Sequence, residues 1–190
     1  MAVNNALISA AWMLALGVAP ALAQSEVTKF EARAARFQDA VQHGCLPYAA
    51  GEKSEADAMA AIGMKRSTNH YNPLTSPVTG HHYRGGLFAR VGVAIDRPGV
   101  CRVTVEGDAL DAYKRAAERA FEARFGADYA ATPAHKYETS APAPDFEHAF
   151  CRDGLLVRTY RSTYRGDAFY NVEVARPWTS KGIPPICPEA

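Results

Sequence analysis

Three histidines cluster in one turn-rich stretch of the chain: His70, His81 and His82, with Tyr71 and Tyr83 beside them. Neutral imidazole is a good ligand for Zn²⁺ and Cu²⁺, so a convergence of these three rings would make a metal centre. A metal-dependent or hydrolytic enzyme using the loop 70–82 is therefore the catalytic alternative that the residues raise. Their spacing matches no ligand set of known mechanism. No H-E-x-x-H helix occurs, adjacent histidines often point apart, and a turn-rich loop collects histidine for solubility alone.

Other routes to catalysis find less support. No G-x-S-x-G occurs, so a serine at a strained strand-to-helix elbow is missing. The four cysteines, Cys45, Cys101, Cys151 and Cys187, form an even set without a C-x-x-C pair, which reads as two disulfides rather than as zinc ligands or a redox thiol pair. Four cysteines allow three connectivities. We favour Cys45 with Cys101, tying the end of the first helix to a core strand, and Cys151 with Cys187, tying the tail to the last sheet segment. Each would stabilise by roughly 4 kcal/mol in the chain-entropy view. Asp108 and Asp111 read as acids at a helix N-terminus, where they meet the positive end of the helix dipole. Asp145 and Glu147 lie beside a proline-rich connector with no third group brought to them by sequence.

The most unusual local composition is that of Arg158, Tyr160, Arg161, Tyr164, Arg165 and Tyr170. Tyrosine supplies rigid aromatic area and arginine a planar fork of donors, the combination enriched where proteins bind partners, glycans or carboxylates. These six are the candidate binding face. The plainer account is that alternate residues of a half-buried sheet must face water, where both types are comfortable.

The elements that must position these residues lie in a chain bound for export. Residues 1–23 contain no Lys, Arg, Asp or Glu, run apolar from Ala6 to Ala19, and end in Ala21-Leu22-Ala23, which suits a signal peptidase. The expected mature chain begins at Gln24 and is periplasmic or secreted, consistent with disulfides. A retained membrane anchor is the rival, but the run is shorter than the about 20 apolar residues of a spanning helix, and no later window approaches one. With 21 Lys plus Arg against 20 Asp plus Glu, the formal charge is +1. That balance excludes the basic excess by which nucleic-acid binders neutralise phosphates. At 48% hydrophobic residues, the composition is that of a globular domain.

Residues 24–190 read as one domain with an exposed loop at 66–86 and an extended tail at 177–190. Thr28 with Glu31 forms a capping box ahead of Phe30, Ala34, Phe37 and Val41, a helix that Gly44 would close. Ser54 with Asp57 opens a second, short helix ending at Gly63. Alternation from Leu87 to Ile95, the turn Asp96-Arg97-Pro98-Gly99, and alternation of Cys101, Val103 and Val105 make a hairpin. Leu110, Tyr113, Ala117, Phe121 and Phe125 form the stripe of the strongest helix, which opens after Gly107-Asp108. A connector at 127–145 includes one short candidate strand near His135 to Thr139. Asp153-Gly154 is among the best two-residue hairpin signals, and Tyr170, Val172 and Val174 alternating against Phe169, Asn171 and Glu173 complete a meander.

The expected fold is α+β: an antiparallel sheet of four to six strands, hairpin plus C-terminal meander, with two or three helices mainly on one face. A Rossmann arrangement is disfavoured for want of the glycine-rich strand-to-helix turn. The expected function is that of a non-catalytic binding or accessory module for a protein partner or envelope ligand, inhibitor and immunity roles included. No cofactor is expected, with Zn or Cu reserved for the enzyme alternative.

Overall fold

The computed structural model describes residues 18–67, 81–84, 90–134, 146–177 and 187. It is an α+β fold. The described helices are α1 (Val18–Asp39), a π-helical stretch (Ala40–Cys45), α2 (Leu46–Ala50), α3 (Glu55–Ala61) and α4 (Leu110–Phe125). The strands are β1 (Lys65–Arg66), β2 (His81–Arg84), β3 (Val91–Arg97), β4 (Val100–Glu106), β5 (Phe146–Arg152), β6 (Leu155–Tyr164) and β7 (Asp167–Ala175). They form one seven-stranded antiparallel sheet in the order β1-β2-β3-β4-β7-β6-β5. Seven strands exceed the expected four to six because β2 lies within the expected loop at 66–86 and β1 forms at its start.

The first helix neither starts nor stops where local signals place it. The backbone is helical from Val18, so Thr28 lies inside α1 and its capping box marks no terminus. It also remains helical past Gly44, Cys45 and Pro47. A proline inside a helix removes one hydrogen bond and clashes with the carbonyl a turn earlier, and a widened π turn accommodates it. Here Ala40–Cys45 is that turn, and the Leu46 N–H bonds to the Val41 carbonyl. Gly44 serves close packing: a Cβ there would meet Ile62 Cδ1 at 2.8 Å. The left-handed cap is Gly51, at φ 75°, whose N–H bonds to the Pro47 and Tyr48 carbonyls. Arg176 completes the helix end, donating from Nε to the Ala49 carbonyl at 2.9 Å and from Nη2 to that of Ala50 at 2.5 Å.

The other elements follow their sequences more closely. Ser54 caps α3, its hydroxyl accepting from the Asp57 N–H at 3.2 Å. The α4 stripe faces inward, with Tyr113, Ala116, Ala117, Ala120, Phe121 and Phe125 buried. Small alanines bring the helix axis close to the sheet. The N-cap of α4 is Ala109, without a side-chain bond, so neither Asp108 nor Asp111 caps it. Pro98-Gly99 turns β3 into β4 with Gly99 at φ 75°, as a type II turn requires.

One core lies between the helices and one face of the sheet. Phe37, Val41, Leu46, Met59, Tyr113 and Phe121 meet Val93, Val103, Val172, Val174, Val157 and Phe150. Cys45 and Cys101, both fully buried, are joined there, and Cys151 is joined to Cys187. Strand alternation gives the opposite face to Ala94, Val100, Leu156, Phe169 and Ala175, which are buried but outside the helix-side core. The candidate strand at 135–139 lies outside the described residues.

Candidate functional site

The β6–β7 hairpin positions the arginine and tyrosine set, and period-two alternation divides it. Arg158 and Tyr160 stand on the face away from the helices, opposite Glu173 and Asn171 of β7. Arg158 is paired with Glu173, and its guanidinium lies 5.2 Å from the centroid of the Phe146 ring. That ring meets Tyr160 edge-on at 5.8 Å. Arg161 has the opposite parity and reaches back toward α4. Its Nη2 donates to Asp111 Oδ1 at 2.6 Å and its Nε to Glu147 Oε1. Charge-assisted bonds of this kind favour both ionised forms, so the Asp111 carboxyl is held below the usual range and the Arg161 guanidinium above its own. Arg161 thus anchors α4 and β5 to β6.

Tyr170 leaves the candidate face altogether. It is fully buried on the helix side and meets Phe37 edge-on at 6.1 Å between centroids. Burial, above all, raises its phenol pKa. Its register with Val172 and Val174 already assigned it to the core side.

What remains is the hairpin end. All seven residues from Arg161 to Asp167 are exposed. Tyr164, at 40% exposure, is the one exposed large hydrophobic among the described residues. The Arg165 guanidinium lies 5.3 Å from its ring centroid, a cation–π contact that stiffens the tip. The two-residue turn places Arg165 at φ 53° and Gly166 at φ 89°. Its counterpart between β5 and β6 has Asp153 at φ 51° and Gly154 at φ 70°. Aspartate tolerates the left-handed region, whereas arginine is not a residue that the turn itself selects.

The histidine cluster also divides by parity. On β2, His81 and Tyr83 face the helices, while His82 faces the opposite side. Adjacent strand positions cannot offer both imidazoles to one ion, and His70 lies outside the described residues. No group of three His, Cys, Asp or Glu able to hold a metal occurs among the described residues. Sequence reasoning missed Glu55, at the start of α3. Its Oε1 accepts from His81 Nδ1 at 2.6 Å and from the Tyr83 hydroxyl. Because a carboxylate only accepts, Nδ1 carries the proton of this bond. Burial, then the bond to Glu55, raises the Tyr83 pKa.

Known proteins offer no parallel: no family model matches the chain, and neither does any curated protein or solved structure.

Proposed function

We propose that this protein is an exported, disulfide-stabilised binding module that engages a protein partner through the tip of the β6–β7 hairpin, Tyr164 and Arg165. The observation that carries the reading is the pairing of exposure with backbone cost at that tip. A solvent-facing tyrosine is stacked under an arginine held at positive φ. A non-glycine residue in the left-handed region costs about 1–2 kcal/mol, and such strain concentrates at functional positions. Tyrosine and arginine are also the types that dominate binding energy once a partner desolvates them. Two disulfides, and the lack among the described residues of a helix long and apolar enough to cross a membrane, are compatible with secretion.

The test is a photoreactive phenylalanine analogue at position 164 in producing cells, with the same analogue at position 153 of the opposite hairpin as control. The proposal expects a discrete protein adduct at 164 and none at 153. No adduct at 164, or the same adducts at both ends, would overturn it. In the same material, the recovered chain should begin at Gln24.

A further inference from the structure

The two disulfides occupy chemically different places. Cys45 closes the π-helical stretch and Cys101 lies on β4, the middle strand of the seven. Both are 0% exposed and belong to the core between the helices and the sheet. An external thiol reaches their sulfurs only when that core opens. Cys151 lies on β5, at the sheet edge, and its neighbour Phe150 points into the helix-side core. Strand alternation therefore turns Cys151 to the opposite face, in one row with Leu156 of β6 and Ala175 of β7. Cys151 is 7% exposed, whereas Cys187 is only half-buried. The Cys187 sulfur lies 4.0 Å from the carbonyl oxygen of Leu155, the residue that follows the exposed turn Asp153-Gly154.

The backbone around Cys151 is held by hydrogen bonds as well as by this link. β5 pairs with β6 from Phe146 to Arg152. On its other side, the Cys151 N–H bonds to the Thr132 carbonyl at 2.8 Å and the Ala134 N–H to the Ala149 carbonyl at 3.0 Å. Cys151 therefore keeps its place in the strand when its sulfur is released. Opening this bond is a local event, and opening the Cys45–Cys101 bond demands disruption of the core.

We propose that Cys187 is a thiol-modification site: in the folded protein a small external thiolate attacks Cys187 Sγ while Cys45–Cys101 stays closed. The attacking sulfur forms a mixed disulfide with Cys187, the Cys151–Cys187 bond breaks, and its electron pair leaves on Cys151 as a thiolate. A second external thiolate then attacks the external sulfur of the mixed disulfide, and Cys187 leaves as a thiolate. Two external thiols are oxidised to one disulfide, the protein disulfide is reduced to two thiols, and the protons come from the thiols themselves. Attack falls on Cys187 because it is the more exposed residue of the pair, and access helps to decide which sulfur is attacked. Cys151, held in β5, can attack the mixed disulfide in return and expel the external thiolate, so the modification is reversible.

The experiment treats the native, oxidised protein without denaturant, in mildly alkaline buffer, with dithiothreitol and separately with reduced glutathione. Free thiols are trapped with N-ethylmaleimide in timed samples, and the peptides are mapped by mass spectrometry. With dithiothreitol, Cys151 and Cys187 should be released at least about tenfold faster than Cys45 and Cys101, the difference between local and core opening. Near-ultraviolet circular dichroism should keep its native form while Cys45–Cys101 is closed. With glutathione, the adduct should be found on Cys187. Release of all four cysteines at one rate, release of Cys45 and Cys101 first, or no release without denaturant would overturn the proposal. So would loss of the native spectrum as Cys151–Cys187 opens, glutathione on Cys151 in place of Cys187, or no adduct at Cys187.

Discussion

Replacing Arg165 by asparagine should make the protein more stable. Arg165 occupies the first central position of a two-residue turn at φ 53°. Asparagine is among the residues that accept this region, because its short polar side chain bonds locally, and Asn-Gly is the favoured pair for this turn. The substitution therefore removes most of a backbone cost of about 1–2 kcal/mol. It also removes the stacking of the guanidinium on Tyr164, a contact of about 0.5 kcal/mol at an exposed site. The difference is a net gain of about 0.5–1 kcal/mol, or about 1–4 °C in Tm for a domain of this size. Equilibrium unfolding in guanidinium chloride with the disulfides intact measures it, with an unchanged m-value confirming that the native state alone is affected. A loss of about 1 kcal/mol or more would refute the reasoning, because Arg165 would then hold the hairpin together and its backbone conformation would need no functional account.

Further outcomes follow from the core and its cross-links. Changing Cys45 and Cys101 together to alanine opens a link between residues 56 apart in sequence and should cost about 4 kcal/mol, lowering Tm by about 8–16 °C. The double change at Cys151 and Cys187, 36 apart, should cost nearly as much in chain entropy but leave the helix-side core intact. Near-ultraviolet circular dichroism of the folded variants would distinguish the two. At alkaline pH, Tyr83, Tyr129 and Tyr170 have raised pKa values in the folded state, burial being the first cause for each. The folded chain then holds more protons than the unfolded one above the ordinary tyrosine range. The stability that these residues contribute is complete below about pH 10 and is lost above it. Absorbance at 295 nm should show a late tyrosinate phase that coincides with unfolding, and a single ordinary titration would count against the burial of these rings.

Local chemistry made much of the fold readable. The α4 stripe, the Ser54 cap and the turns at Pro98-Gly99 and Asp153-Gly154 stand where their residue types placed them, because each depends on neighbours within a few positions. Tertiary packing decided the rest. Gly44 and Pro47 look like a helix end in isolation, but Gly44 is the point where Ile62 packs against the helix, and a π turn carries the chain past the proline. β2 is not legible in the sequence because His81-His82-Tyr83-Arg84 lacks apolar alternation, although its parity separates His81 from His82. The six arginines and tyrosines are near neighbours in sequence, and the strand period scatters them. Arg161 went to Asp111 and Glu147, Tyr170 went to the core, and only Tyr164 and Arg165 were left together at the hairpin tip. Long-range partners such as Glu55 for His81 leave no local mark at all.

The most direct test of the binding role is the affinity of the partner identified by cross-linking, measured with the purified wild type and with the Tyr164→Ala/Arg165→Asn double variant. A folded variant that binds at least tenfold more weakly is the predicted result. A folded variant with undiminished affinity would place recognition elsewhere on the molecule and contradict the account.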